Sequence, residues 1–197
     1  YAFKSADGIH WSFLQEAPIL TDGVFDSQNL VFWDSVREEY RAYYRDFKEG
    51  TRGIRTATSK DFRNWKTHGW LEYPGATNYQ LYTNQVKPYY RAPHIFIGFP
   101  TRYIERGWSP SMEALPNPEH RRMRSNAQNR YGMALTDGLL MTSRDGITFK
   151  RWDEAFLRPG RRNAENWAYG DNYIAWHVVE TAPDTLSLYA TESYWTQ

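Results

Sequence analysis

Two carboxylates, Asp26 and Glu165, have the residue type and spacing that acid–base chemistry requires. Each follows a short Ser-x-Asp motif at a similar distance, and Asn84 stands at the corresponding place after a third copy of that motif. Residues at one phase of a repeated unit converge when the units are arranged around an axis. Two facing carboxyl groups could then act as general acid and general base on one substrate. The spacing therefore predicts that Asp26 and Glu165 are catalytic.

The motif that sets this spacing reads SADGIHW at 5–11, TSKDFRNW at 58–65 and TSRDGITF at 142–149. In every copy an aromatic residue follows the Asp by four positions. We interpret each copy as a turn, because an Asp side chain accepts hydrogen bonds from backbone N–H groups two or three residues on, and Gly tolerates a positive φ. The Asp residues of the three motifs are therefore predicted to be structural.

Strand-like runs flank the motifs, and no helical periodicity extends over a dozen residues. Gly, Pro, Asn and Asp interrupt the chain at the spacing of strands. Four-stranded units of about 50 residues are typical of β-propeller blades. The sequence therefore predicts an all-β propeller of which this chain, read as a fragment, covers three to four blades. The predicted parts are the end of one blade (1–13), one blade (24–67), a blade with a long insertion at 104–131 (80–152) and a partial blade (163–197).

The composition excludes several classes of function. The 197 residues carry 24 Lys and Arg against 23 Asp and Glu, a balance that argues against a dedicated nucleic-acid binder. No run approaches the ~20 apolar residues of a membrane-spanning helix. Without cysteine there is no disulfide framework or thiolate chemistry, and no spacing indicates a metal or cofactor site. The basic segment HRRMRSNAQNR at 120–130 is predicted to be a solvated loop. Neither the compartment nor the oligomeric state follows from the sequence.

The order FDSQNLVFWD, EYRAYYRDF, GIRTATSKDFRNW, beginning at Phe25, resembles a blade of the five-bladed propeller glycoside hydrolases. These form the β-fructosidase and α-L-arabinofuranosidase/β-xylosidase superfamily. In that group an inner-strand Asp precedes a Tyr-rich second strand and a third strand ending in S-x-D-x-x-x-W. The resemblance implies a bacterial glycoside hydrolase of five-bladed type, acting on an oligo- or polysaccharide. The family's W-M-N-D-P-N-G type strand does not occur in this chain.

Glycoside hydrolysis needs two carboxyl groups across the scissile bond. The resemblance implies Glu165 as general acid and Asp26 as base, nucleophile or pKa-tuning acid. Asp46, in the RDF sequence, is reminiscent of the family's transition-state-stabilising Asp. Amides and cations could bind sugar hydroxyls, and a flat ring could cover a sugar face. The predicted substrate-binding residues are Gln28, Asn29, Arg45, Asn84, Gln85 and Trp167.

Other interpretations remain open at this point. A non-catalytic propeller that binds carbohydrate is one, because an amide, Asn84, occupies the position between the two acids. A sialidase is another, and it would need three arginines for the carboxylate of its substrate. Asp26 could instead be an Asx-turn residue and Glu165 a surface loop acid. Asp171, between Gly170 and Asn172, is interpreted as a turn residue.

Overall fold

The computed structural model describes residues 1–194, and these are mostly strands, which confirms the all-β class. The helices of this part of the chain are all too short to cross a membrane. The sheets are antiparallel and none closes on itself. The strands are β1 (Phe3–Lys4), β2 (Ser12–Phe13), β3 (Leu30–Asp34), β4 (Glu39–Lys48), β5 (Thr51–Ser59), β6 (Lys66–Trp70), β7 (Gln80–Leu81), β8 (Lys87–Tyr89), β9 (Ala92–Gly98), β10 (Thr101–Glu105), β11 (Ala134–Gly138), β12 (Met141–Ser143), β13 (Lys150–Arg151), β14 (Tyr173–Ile174), β15 (Val179–Ala182), β16 (Thr185–Ser187) and β17 (Ala190–Thr191).

Strands β3 to β6 form a four-stranded sheet in sequence order. Side chains alternate between the two faces of a strand. On β4, Ala42 and Tyr44 enter one buried cluster, whereas Tyr43 enters another on the opposite face. Arg45 is paired with Ile54 of β5 and shares the face of Tyr43. Both faces of this sheet are therefore covered.

Strands β7 to β13 form a second unit from four successive chain segments. It consists of two sheets, ordered β7-β10-β11 and β8-β9-β12-β13. The chain passes directly from one sheet to the other, because only two residues separate β9 from β10 and β11 from β12. The main hydrophobic cluster lies between the sheet of β3 to β6 and this second unit, and both contribute residues to it. Its buried members are Tyr43, Ile54, Leu71, Leu81, Val86, Phe96, Leu139, Met141 and Phe149.

The three Ser-x-Asp motifs fold into the same turn. The Ser hydroxyl donates to the Asp carboxylate over 2.9, 3.0 and 2.9 Å in the three copies. The same carboxylate accepts backbone N–H groups two and three residues later. The side-chain hydrogen bond from His10 and the backbone N–H groups hold the pKa of Asp7 well below its usual range. These carboxylates are already engaged, so their predicted structural role is confirmed.

Gly146→Ala is expected to destabilise the protein by more than Gly8→Ala, its counterpart in the first motif. Both glycines have positive φ, +77° and +75°, and each alanine costs about 1–2 kcal/mol for that reason. A Cβ at Gly146 would lie 2.8 Å from both Arg41 Nη1 and the Tyr43 hydroxyl, whereas one at Gly8 meets nothing within 4 Å. The crowding adds about 1–3 kcal/mol. Urea unfolding of both variants measures the difference, and equal losses would contradict the close packing at the third turn.

The basic segment 120–130 is helical, so its prediction as a solvated loop is wrong. The insertion holds α1 (Pro110–Glu113), α2 (Pro118–Ala127) and α3 (Asn129–Met133). Helix α2 buries Arg121 and Ser125 instead of apolar residues, which explains why it shows no hydrophobic periodicity. The Arg121 guanidinium donates to four carbonyl oxygens, of which three belong to residues 163–167. The insertion thereby fastens the segment that carries Glu165.

The C-terminal segment contains shorter strands than the sequence indicates. The sequence NYIAWHVVE at 172–180 predicts one strand, but it is divided into β14 and β15 by residues around His177, which has a positive φ of +78°. The sequence LSLYATESYW at 186–195 also predicts one strand, but it contributes to β16 and β17 separately, and its last residue, Trp195, lies outside the described residues. Strand β14 pairs with β17, and β15 pairs with β16.

Candidate functional site

Three segments that precede strands meet at one place, which we call the polar junction: residues 26–29, 82–85 and 171–174. The Gln28 side-chain oxygen accepts the backbone N–H groups of Asn84 (3.3 Å) and Gln85 (3.2 Å). The Gln28 amide donates to the Gln85 side-chain oxygen over 2.7 Å, and the Gln85 amide donates to the Ile174 carbonyl over 2.6 Å. These polar atoms, predicted to bind substrate, join the three segments to one another.

Arg45 is buried beside this junction. Its Nη1 donates to the Tyr82 carbonyl over 3.0 Å, and its Nη2 lies 3.6 Å from Asp26 Oδ2. The guanidinium also lies over the rings of Tyr82 and Phe47, at 4.8 and 4.9 Å. Burial lowers the pKa of Arg45, and the nearby Asp26 carboxylate opposes that effect. The side chain of Asp26 is 47% exposed, so Arg45 restrains it from one side while the other is accessible to a ligand.

A cavity of about 410 Å³, the tyrosine cavity, opens at Ser27, the residue that follows Asp26. Its wall includes Ser27 of the first segment and Tyr82 of the second, joined by a 2.9 Å hydrogen bond from the Ser27 hydroxyl to the Tyr82 carbonyl. The hydroxyl groups of Tyr82 and Tyr169 are 2.9 Å apart. Burial raises the pKa of Tyr169 and Tyr173, so their hydroxyl groups stay protonated at neutral pH. The cavity combines flat rings with hydroxyl groups. It is lined by Ser27, Tyr82, Thr83, Tyr169, Tyr173, Thr191 and Tyr194.

Two further predicted residues, Asn29 and Asp46, have structural partners. The Asn29 amide donates to the carbonyl oxygens of residues 25 and 27, and its oxygen accepts the Arg45 backbone N–H. The Asp46 carboxylate lies 3.2 Å from Arg55 Nη1, on the face of β4 opposite to Arg45. The structure therefore does not bring Asp46 beside Asp26.

Glu165 and Trp167 lie on a turn at 163–167. The side chain of Glu165 is exposed, and its backbone N–H donates to the Asn163 side chain over 2.8 Å. The Trp167 indole donates to the Gly160 carbonyl over 3.0 Å, and its own carbonyl accepts from Arg106 over 2.8 Å. Among the described residues no hydrogen bond or ion pair joins the Glu165 carboxylate to Asp26. The turn connects to the tyrosine cavity through Tyr169, two residues beyond Trp167.

Asp171 is the acid that the third segment places at the junction. Like Asn84 it is 1% exposed, and each is followed by a residue with positive φ: Asn172 at +56° and Gln85 at +52°. Burial raises the pKa of Asp171, although backbone N–H groups of residues 193, 167 and 172 oppose the shift. These hydrogen bonds agree with its interpretation as a turn residue. The Asp-Asn pair shortly before a strand resembles the Asn-Gln pair at 84–85, and this similarity could have predicted the position of Asp171 from the sequence.

A second cavity of about 570 Å³, the arginine cavity, lies on the other side of these rings. Arg52 of β5 lies over Tyr103 at 4.7 Å and Tyr82 at 5.3 Å, and Arg130 of α3 lies over Tyr169 at 5.2 Å. Tyr82 and Tyr169 line the tyrosine cavity, so the two cavities share one group of aromatic rings. Sequence reasoning missed this cavity. Its lining residues are Arg52, Tyr103, Glu105, Gly107, Gln128, Asn129, Arg130 and Met133.

Residues 1–194 contain no group of three or more His, Asp and Glu side chains placed to hold a metal ion. No set of metal ligands can therefore be named in the described part of the chain. The polar junction lies close to two cavities, of about 410 and 570 Å³.

Comparison with known proteins found no matching family model and no similar curated protein. Solved structures to which part of this chain is similar include two with TM-scores below 0.5. One is an N-acetylgalactosamine deacetylase from F. plautii in complex with blood group B trisaccharide, with 12% identity and a TM-score of 0.47 over 72% of this chain and 34% of that one. The other is a glycoside hydrolase, with 16% identity and a TM-score of 0.41 over 83% of this chain and 44% of that one. The chain thus spans less than half the length of either, and neither similarity identifies an activity for it.

Proposed function

We propose that this chain belongs to a carbohydrate-processing enzyme that hydrolyses a glycosidic bond. The observation that carries the proposal is the polar junction, where three separate segments meet beside a cavity of tyrosine rings and an accessible carboxylate, Asp26. Flat rings suit the CH-rich faces of sugars, and the tyrosine hydroxyl groups suit their oxygens. The cavity volume of about 410 Å³ also falls in the ~300–1,000 Å³ range of small-ligand sites.

The architecture that we propose is a five-bladed propeller with the junction at its axis. The two four-stranded sheets support it, since each is antiparallel and has a Ser-x-Asp turn between its third and fourth strands. In this proposal residues 24–67 and 80–152 are blades, with the insertion at 104–131. Residues 1–13 and 163–197 belong to two further blades. The inner ends of blades in such a fold surround a funnel that can hold a substrate.

The proposed catalytic carboxylates have different support. Asp26 is the general base or nucleophile, because its carboxylate is half-exposed, is restrained by Arg45 and belongs to the residue before Ser27 of the cavity wall. Glu165 is the general acid, since its turn adjoins Tyr169 of the cavity wall. Asp46 contributes only indirectly, because its carboxylate faces Arg55 on the other side of β4. The substrate is an oligo- or polysaccharide.

Hydrolysis of an aryl glycoside panel tests the assignment: arabinofuranoside, xyloside, fructoside and galactoside. Asp26→Asn and Glu165→Gln are each expected to lower kcat/KM by about 100-fold or more on the substrate that is turned over, because general acid–base groups contribute at least that much. Glu154→Gln, which changes another exposed carboxylate, is the matched control and is expected to keep full activity. Unchanged activity in Glu165→Gln would remove Glu165 as the acid, and the same result for Asp26→Asn would remove the base.

The alternative is a propeller that binds carbohydrate without catalysis. The observation that favours it is that the polar groups of the junction already have partners. The Gln28 and Gln85 side chains are hydrogen-bonded to each other, the Gln28 oxygen accepts the Asn84 backbone N–H, and Asp171 accepts backbone N–H groups. Retained sugar binding without turnover of any panel member would support this alternative and contradict hydrolysis. A Tyr82→Ala variant should then lose binding, since its ring lines the cavity.

A further inference from the structure

We propose that the arginine cavity binds the acidic group of a saccharide, a carboxylate or a sulfate. This inference rests on the proposed carbohydrate function and names the class of substrate. The two cationic side chains in the cavity wall, Arg52 and Arg130, come from different elements, β5 and α3, and face one space. Glu105 is the one acidic side chain among the lining residues.

The guanidinium groups of the cavity lack acidic partners. None of the ion pairs formed within residues 1–194 includes Arg52 or Arg130, although most of the other half-buried or buried arginines near the sheets have one. Arg52 Nη1 donates to a neutral group, the Gln80 side-chain oxygen, over 2.5 Å. The Nε atoms of Arg52 and Arg130 are buried and have no hydrogen-bond partner.

Aromatic rings hold both guanidinium groups in place. Arg52 lies over Tyr103 and Arg130 over Tyr169, and stacking of this kind restricts the orientation of a guanidinium. A planar, oriented guanidinium can donate two parallel hydrogen bonds to a carboxylate or a sulfate. The geometry therefore suits recognition of an anion better than non-specific attraction by flexible lysines.

The one acidic side chain in the cavity wall, Glu105, has a hydrogen-bond partner of its own. Its Oε1 accepts the Tyr103 hydroxyl over 2.7 Å. The negative charge of Glu105 repels an anionic ligand, but the two positive charges of Arg52 and Arg130 outweigh it. A third cation, Arg45, lies over the ring of Tyr82, which Arg52 also approaches. Because the rings of both cavities are in contact, a saccharide in the tyrosine cavity could place an acidic neighbouring unit in the arginine cavity.

Binding of matched sugars to the full chain tests the proposal. The probes are methyl β-D-glucuronide, methyl β-D-glucoside, which differs by lacking the carboxylate, and glucose 6-sulfate, with titration calorimetry as the readout. An acidic sugar is expected to bind about 10-fold or more tightly than the glucoside, as charge-assisted hydrogen bonds allow. Whichever of the glucuronide and the sulfate binds more tightly identifies the acidic group.

Four variants separate recognition of the anion from a structural effect. Arg52→Gln and Arg130→Gln should each abolish the preference for the acidic sugar, measured in the same variant as the ratio of its affinity to that of the glucoside. Glu105→Gln should increase the preference, since it removes the opposing charge, and loss of a merely structural contact would not do so. Arg122→Gln, on α2 and paired with Glu113, is the control and should leave the preference intact.

The outcomes distinguish the two proposals. Equal binding of acidic and neutral sugars, or a preference that survives in Arg130→Gln, overturns the arginine-cavity proposal and leaves the carbohydrate function standing. An acidic preference that depends on both arginines supports it even if no panel glycoside is hydrolysed, in which case only the proposed hydrolysis fails. Absence of binding by every sugar overturns both.

Discussion

An Arg102→Met variant is expected to lose about 3–5 kcal/mol of unfolding free energy, because removing one member of a buried ion pair leaves the other charge unpaired. Arg102 of β10 and Asp137 of β11 are directly paired across the sheet. Arg102 Nε and Nη2 donate to the two oxygens of the Asp137 carboxylate over 2.9 and 2.6 Å, and Nη1 donates to the Asp153 carbonyl over 2.9 Å. The guanidinium also lies 4.6 Å over the Tyr79 ring.

The double variant Arg102→Met/Asp137→Leu is the decisive comparison for this pair. Replacing both charges with apolar groups of similar size is often neutral, so stability should return to within about 1 kcal/mol of the original protein. Arg122→Met serves as the surface control, since its exposed pair with Glu113 is worth about 0–1 kcal/mol. Urea unfolding of all three variants supplies the values. A double variant that is no more stable than Arg102→Met would show that the charges do not depend on each other.

Gly132→Ala is expected to cost about 3 kcal/mol, at the upper end of overpacking effects, because the space for a Cβ is already filled. The added atom would lie 2.1 Å from the Arg121 carbonyl oxygen and 2.0 Å from the Ser125 hydroxyl oxygen. The Ser125 side chain can rotate, but the Arg121 carbonyl belongs to the backbone of α2. Helices α2 and α3 must therefore separate.

Gly160→Ala is the matched control, since a Cβ there meets nothing within 4 Å, and its stability should change little. The effect of Gly132→Ala should also reach the arginine cavity, because α3 carries three lining residues, Asn129, Arg130 and Met133. Amide hydrogen exchange of the insertion and chemical unfolding measure the two effects. A Gly132→Ala protein as stable as Gly160→Ala, with unchanged exchange in α2, would contradict the close helix packing.

The predictions that the structure confirms depend on local interactions. Each Ser-x-Asp turn is closed by hydrogen bonds within a few residues, so its conformation could be predicted from residue types alone. Strands β3 to β5 follow from runs rich in aromatic residues (β3 and β4) or β-branched residues (β5) between turn residues. The all-β class follows from the repetition of these local patterns. Helix α2 could not be found in this way, because its buried face consists of Arg121 and Ser125.

The sequence by itself determined the turns, the strand-rich class and two of the three segments that meet at the polar junction. It predicted Glu165 in the third segment, whereas the structure has the buried Asp171 there. Only the tertiary structure decided which atoms face the ligand space. Arg45 and Asp46 are neighbours in the chain, yet the first contacts Tyr82 and the second Arg55, because successive side chains of a strand leave on opposite faces. The arginine cavity likewise depends on the approach of Arg52 and Arg130, whose separation in the chain no local pattern can bridge. Long-range packing determines such contacts, and the residues next to Arg52 and Arg130 in the sequence do not predict them.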